Sequence, residues 1–158
     1  MDIPESFRVC AKFTLISNLE KELSDLSDLN NKKKLENLVE IKTLADKFHI
    51  KLDQEKPTKL LSNKLTELLN KLKSEPNVKN SQELLDFFNL IEKLQISTNI
   101  TTAQNIFYYF FCSDFENFVQ KDYKEKSKLL NNLIEIGKNL NISMEFYKEK
   151  VDKITGKV

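Results

Sequence analysis

Phe48-His49-Ile50, Leu94-Gln95-Ile96 and Leu140-Asn141-Ile142 lie 46 residues apart, and each closes an amphipathic stretch. Upstream of the triplets the apolar positions also align: Leu44, Leu90 and Ile136, then Ile41, Phe87 and Leu133. Spacings of three and four residues put such side chains on one face of a helix. Downstream, Asp53, Asn99 and Glu145 stand just before the next apolar stretch. Each triplet therefore reads as a corner between two helices, with its isoleucine packed back onto both. A repeat of roughly 40–47 residues built from helix pairs is the scale of helical solenoids. The middles of the units match poorly, so the repeat is weak. The expected fold class is all-α: about seven helices, paired as helical hairpins, in a bundle or a short solenoid-like array.

Composition agrees. The chain has 158 residues, 2 Gly and 3 Pro. A β-sandwich or barrel needs many tight turns, and the glycines to build them are missing. A length of this order suits a single helical domain over residues 1–158. The first helix is expected over residues 4–23, with Val9, Phe13, Ile16, Leu19, Leu23 and Leu26 as its buried stripe. A second covers 32–48, opened by the basic run Lys32-Lys33-Lys34. Asp53 can cap the third, which has Pro57 in its first turn and carries Leu60 to Leu72. Asn80-Ser81-Gln82-Glu83 reads as a capping box that starts the fourth. The fifth begins at 99–101 and is expected to continue through Phe118. The sixth spans 123–140, with Gly137 inward, and a short seventh carries Tyr147, Val151 and Ile154.

Charge excludes several partner classes. Lys+Arg is 25 against 24 Asp+Glu, and Arg8 is the one arginine. A nucleic-acid binder normally shows a basic excess and uses arginine for forked contacts to phosphate and bases. No nucleic-acid partner is expected. No window approaches 18 apolar residues, and charges interrupt the N-terminal stretch, so neither a membrane span nor a signal peptide is expected. Cys10 and Cys112 both sit in apolar stretches and read as reduced, buried thiols of a cytoplasmic protein. An intramolecular disulfide between them stays open at this point.

Catalytic equipment is sparse. With one His and two Cys the chain cannot supply an ordinary zinc site or a Ser-His-Asp triad, and no cofactor or metal is expected. Carboxylate pairs such as Asp114 with Glu116, or Glu20 with Glu22, are expected by chance among 24 acids. They read as solvated surface. His49 aligns with Gln95 and Asn141 at a helix C-terminus, where an imidazole can satisfy end carbonyls and suits the dipole. The most unusual feature is aromatic. Phe107, Tyr108, Tyr109, Phe110, Phe111, Phe115, Phe118 and Tyr123 are eight of the fifteen aromatic residues. Helical spacing puts Phe107, Phe110 and Phe111 on one, buried side. Tyr108 and Tyr109 are then candidates for an apolar surface that docks a partner or stacks on a sugar.

Three stretches together resemble a known family. Ile3-Pro4-Glu5-Ser6-Phe7-Arg8 followed by Ala11 is similar to an I-P-x-x-hydrophobic-R-x-x-A helix start. Phe48-His49-Ile50-Lys51-Leu52-Asp53 is similar to an apolar-x-apolar-D corner, and Ala103-Gln104-Asn105-Ile106-Phe107-Tyr108 to an A-Q-N-hydrophobic-aromatic helix. They resemble the helical C-terminal region, of unknown function, that follows the catalytic domain in some family 57 glycoside hydrolase-like proteins. That family acts on α-glucans through two carboxylates on a barrel of strands and helices. This chain has no sequence for such a barrel, so no catalytic residue carries over. The resemblance implies an accessory domain, either excised from the C-terminal part of a longer polypeptide or separate. Gln104 and Asn105 are the matching polar residues, with Gln104 also able to complete a capping box with Thr101.

The expected function is therefore non-catalytic: a helical accessory or interaction domain of a carbohydrate-active, glycoside hydrolase-like protein. The chain itself is not expected to be an enzyme. Its expected partner is a protein, either a catalytic domain of the same polypeptide or a separate chain, with carbohydrate as a further ligand. Weak binding candidates are Gln104, Asn105, Tyr108 and Tyr109. The alternative is a free-standing helical-repeat adaptor for protein–protein interaction.

Overall fold

The computed structural model describes residues 4–26 and 32–156, with the side chain of Lys32 left out. Among the described residues there is no strand. Eight α-helices run α1 (Glu5–Ser24), α2 (Lys32–Lys47), α3 (Glu55–Ser74), α4 (Val78–Leu94), α5 (Thr101–Phe107), α6 (Phe115–Gln120), α7 (Lys126–Asn139) and α8 (Glu145–Thr155). A five-residue π-turn, Tyr108–Cys112, follows α5 directly. Ile3 and most of the polar connector after α1 lie outside the described residues. The chain is all-α, as its periodicity predicts.

The described contacts divide the chain into two compact units, Met1–Leu61 with Asn89–Thr98, and Ser62–Phe88 with Asn99–Val158. The boundary falls inside α3 and inside α4. In the first unit α1 packs on α2. Its core holds Leu15, Leu19, Leu23, Leu38, Ile41, Leu90 and Leu94. In the second unit α7 packs on α8. Its core joins Leu65, Leu69 and Leu72 of α3, Phe87 of α4, Leu129, Leu130 and Leu133 of α7, and the phenylalanines after α5. Burying one such side chain contributes roughly 1.5–3 kcal/mol, so these faces, rather than helix propensity, hold the elements.

The three corners share a backbone conformation. His49, Gln95 and Asn141 have φ of 53°, 52° and 55°. The left-handed region is normally reserved for glycine at a helix end. The first and third corners also share hydrogen bonds. Ile50 N–H reaches Ala45 O at 2.8 Å, and Ile142 N–H reaches Gly137 O at 2.9 Å. His49 N–H bonds Asp46 O at 3.0 Å, and Asn141 N–H bonds Lys138 O at 2.9 Å. At the middle corner Gln95 N–H is shared between the carbonyls of Ile91 and Glu92. His49 thus closes its helix through backbone rather than imidazole, and its side chain is exposed. Ile96 is buried, while Ile50 and Ile142 are half-buried.

Several local expectations are corrected. Val9 and Phe13, expected in the stripe of α1, are 48% and 71% exposed, and Cys10 is exposed rather than buried. The cause is the direction of α2. Asn37 of α2 hydrogen-bonds Glu22, and Lys34 reaches Asp25 O, so α2 begins beside the C-terminal end of α1. The N-terminal half of α1 therefore faces the corner after α2, not a helix, and burial starts at Leu15. The fourth helix begins at Val78, not Asn80. Asn77 Oδ1 accepts the Asn80 amide at 2.8 Å and is the working cap. Asn80 and Ser81 are instead buried, bonded to Glu75 O and Val78 O, and Asn132 of α7 donates to Ser81 Oγ at 3.0 Å. Glu83 pairs with Lys71 rather than closing a capping box. The long fifth helix is split into α5, the π-turn and α6, with Ser113 and Asp114 between. At α8, Val151 is buried but Ile154 is 48% exposed. Asp53 does take the Glu55 amide, at 3.1 Å.

An L-residue in the left-handed region costs roughly 1–2 kcal/mol, part of which glycine recovers despite its looser unfolded chain. Gln95→Gly is therefore expected to raise the melting temperature by about 2 °C. Gln95→Val, β-branched at positive φ, is expected to lower it by more than that. Thermal unfolding followed by circular dichroism checks both signs.

Candidate functional site

The aromatic segment after α5 is built on one irregularity. Ser113 N–H bonds Tyr108 O at 2.9 Å, a five-residue closure in place of the four of an α-helix. In a regular helix, side chains four apart drift round the axis by about 40° per step. The wider turn cancels that drift. Phe107, Phe111 and Phe115, each four apart, stay on the buried side, and Phe118 joins them. Phe111 is fully buried. Its ring lies 5.5 Å from Phe107, 5.3 Å from Phe115, 5.2 Å from Phe118 and 6.1 Å from Tyr147, centroid to centroid. Phe110, expected beside Phe107 and Phe111, is half-buried with its ring edge-on to Phe118 at 5.3 Å.

The opposite side is open. Tyr109 is 72% exposed and Tyr108 48%, with their rings 5.8 Å apart in a T-shape. Phe146 at the start of α8 is 60% exposed, and its ring lies 5.4 Å from that of Tyr147. Lys150 sits 4.6 Å over the Phe146 ring and also pairs with Glu116 of α6. Tyr147 connects the two sides. Its hydroxyl donates to Cys112 O at 3.4 Å, and burial, then Cys112 and Tyr108, hold its phenol above the ordinary range. Exposed aromatics that keep one edge on a packed core lose little side-chain freedom on binding, which favours them at recognition surfaces.

Of the four candidates read from sequence, the fold keeps two on this surface. Tyr108 and Tyr109 form it. Gln104 is half-buried, and its Nε2 donates to Leu140 O at 2.7 Å, tying α5 to the third corner. It does not form the capping box with Thr101, whose amide is taken by Asn99 Oδ1 at 3.0 Å. Asn105 is exposed. Phe146 was not singled out from sequence. The adjacent pair Phe146-Tyr147 at a helix start was the available signal, since neighbouring helix positions point about 100° apart.

The carboxylate pairs are occupied by neighbours. Asp114 accepts from Asn117, Glu116 pairs with Lys150, Glu20 with Lys56, and Glu22 accepts from Asn37. Among the described residues no group of three or more His, Cys, Asp and Glu side chains is placed to hold a metal. None of their helices is long and apolar enough to cross a membrane. Cys10 and Cys112 are both free thiols, Cys112 buried. No family model, curated protein or solved structure matches the chain.

Two outcomes follow from this geometry. Phe111→Ala is expected to cost roughly 3–5 kcal/mol, against less than about 0.5 kcal/mol for Tyr109→Ala, in chemical denaturation. Burial also pushes the Cys112 thiol up, with the Tyr147 hydroxyl partly offsetting it. A thiol raised in the fold keeps its contribution below the unfolded pKa and loses it as pH rises through the folded one. Stability should therefore fall above about pH 8.5, and Cys112→Ala should flatten that fall.

Proposed function

We propose that the chain is a non-catalytic helical interaction domain, serving as an accessory module of a carbohydrate-active, glycoside hydrolase-like protein. The observation that carries this reading is the exposed aromatic pair Tyr108 and Tyr109, on the same segment as the buried Phe107 and Phe111, with Phe146 separately exposed at the start of α8. Exposed aromatics that adjoin one another, as Tyr108 and Tyr109 do, are the kind of apolar patch that marks an interaction site. The carboxylate pairs Asp114 with Glu116 and Glu20 with Glu22 are each engaged by an amide or ammonium neighbour.

The resemblance to the helical region that follows the catalytic domain in family 57 glycoside hydrolase-like proteins supplies the context. On that reading the partner is a protein surface, first of all a catalytic domain, and the aromatic rings also suit stacking on a sugar. The two free thiols support a cytoplasmic setting. A free-standing adaptor would use the same surface toward a separate chain.

The test is calorimetric titration of the chain with the catalytic domain of a family 57 glycoside hydrolase-like protein, and separately with a soluble α-glucan. The reading expects saturable binding to the domain, weakened about tenfold in Tyr109→Ala and Phe146→Ala with the melting temperature unchanged, a loss of about 1.4 kcal/mol. Binding that both variants leave intact would place the interaction elsewhere. Cleavage of α-glucan by the purified chain, abolished by changing one carboxylate, would overturn the non-catalytic reading.

A further inference from the structure

The N-terminal half of α1 carries a separate pattern. Residues 6–14 read Ser-Phe-Arg-Val-Cys-Ala-Lys-Phe-Thr, a palindrome of chemical types about Cys10. Outward from Cys10, an apolar residue, a cation, a phenylalanine and a hydroxyl recur on each side. Each helical step turns about 100°, so Phe7 and Phe13 flank Cys10 at about 60° and Ser6 and Thr14 at about 40°. Arg8 and Lys12 point about 160° away. They line the hollow beside the corner after α2, with His49 and Lys51. Phe7 and Phe13 are 68% and 71% exposed, and Cys10 is exposed between them. Thr14 Oγ1 bonds Cys10 O at 3.0 Å, which satisfies its hydroxyl within the helix. The later helices show that this face need not be apolar. In the 46-residue register of the corners, Leu15, Leu61 and Phe107 coincide and are all buried, as are Leu19, Leu65 and Phe111. In the same register Phe7, Cys10 and Phe13 coincide with Asp53, Lys56 and Lys59, and with Asn99, Thr102 and Asn105. All nine are exposed, and only those of α1 are apolar.

We propose that this face pairs with the same face of a second copy of the chain, α1 against α1, antiparallel about a two-fold axis at Cys10. The palindrome selects that occupant. In an isologous contact residue i meets j and j meets i, so an antiparallel helix pair needs a side-chain pattern that reads alike in both directions. Pairing about Cys10 sets Phe7 against Phe13 of the other copy twice over, and Ser6 against Thr14. The face carries no charge, so two copies meet without like-charge repulsion, and Arg8 and Lys12 stay on the far side. A charged partner finds nothing to pair with there, and a lipid surface has no need of the symmetry. The small Cys10 at the axis lets the two backbones approach. Two phenylalanines at this exposure offer roughly 200–350 Å² per copy, against roughly 800 Å² per partner in a standard interface. The dimer is accordingly weak and concentration-dependent. The face belongs to the first unit and is independent of Tyr108 and Tyr109 in the second.

Sedimentation velocity of the full chain under reducing conditions, from about 10 µM to about 1 mM, reads the association. A monomer–dimer equilibrium is expected, weakened about tenfold or more in Phe7→Glu and in Phe13→Glu. Both residues are exposed, so circular dichroism should give these variants the wild-type melting temperature. Lys59→Glu, at the position of α3 equivalent to Phe13, should leave the dimer unchanged. Orientation is read from two double variants. Phe7→Lys/Phe13→Glu sets opposite charges across an antiparallel contact and should dimerise about tenfold more tightly than Phe7→Glu/Phe13→Glu. A bis-maleimide with a two-carbon spacer should join two copies through Cys10, because helix axes roughly 8–10 Å apart bring the paired Cα atoms to about 4–5 Å. Cys10→Ser should abolish that product. A chain that stays monomeric at the highest concentration would overturn the proposal. So would a dimer that both phenylalanine variants leave intact, a dimer lost in Tyr109→Ala instead, or equal affinities of the two double variants. Phe13-dependent binding to phosphatidylcholine vesicles by a chain that does not dimerise would overturn it in favour of a lipid surface.

Discussion

Phe111 holds the C-terminal unit together. Its ring is wholly buried and meets Phe107 on the turn before it, Phe115 and Phe118 on the helix after it, and Tyr147 on α8. Each edge-to-face pair adds roughly 0.5–1.5 kcal/mol beyond the area it buries. Three short pieces of backbone, α5, the π-turn and α6, are individually too short to be stable helices in water. They are ordered because they share this ring. The π-turn is the local cost of that arrangement, since widening one turn keeps phenylalanines spaced by four on a single side.

The same constraint creates the outer surface. With Phe107, Phe111 and Cys112 committed inward, Tyr108 and Tyr109 in the same turn have no interior to enter. They are presented on a rigid support rather than on a loop, which reduces the ordering cost of binding. The first unit leaves apolar side chains exposed by another route. There the antiparallel start of α2 leaves half of α1 over a corner, so Val9 and Phe13 of α1 stay exposed instead of entering a helix–helix seam. One unit thus exposes rings because its core is over-supplied with aromatics, and the other because its second helix stops short.

Much of this was legible in the residues. The recurring apolar-x-Ile triplets located all three corners, and the three-and-four spacing gave every helix of ten residues or more. The left-handed backbone of the corners was not legible, because His49, Gln95 and Asn141 do not announce positive φ as glycine would. Periodicity also cannot say whether a partner helix exists. Val9 and Phe13 repeat as well as Leu15 and Leu19 do, and only the path of α2 separates them. Asn80 to Glu83 carries the letters of a capping box, yet Asn77 lies three residues earlier and caps first. Tyr108 and Tyr109 could be placed outside by elimination. Gln104 could not be placed inside, because its partner is a backbone carbonyl 36 residues away.

Native-state amide hydrogen exchange across the second unit tests the dependence on Phe111 most directly. If the π-turn is ordered by that ring, the amides of Phe111, Cys112 and Ser113 open only with the unit as a whole, at the same free energy as Leu133 in the centre of α7. Exchange of Ser113 and its neighbours at near-unfolded rates, with α7 still protected, would contradict it: the turn would then be a locally frayed segment, and the aromatic surface it carries would have no rigid support.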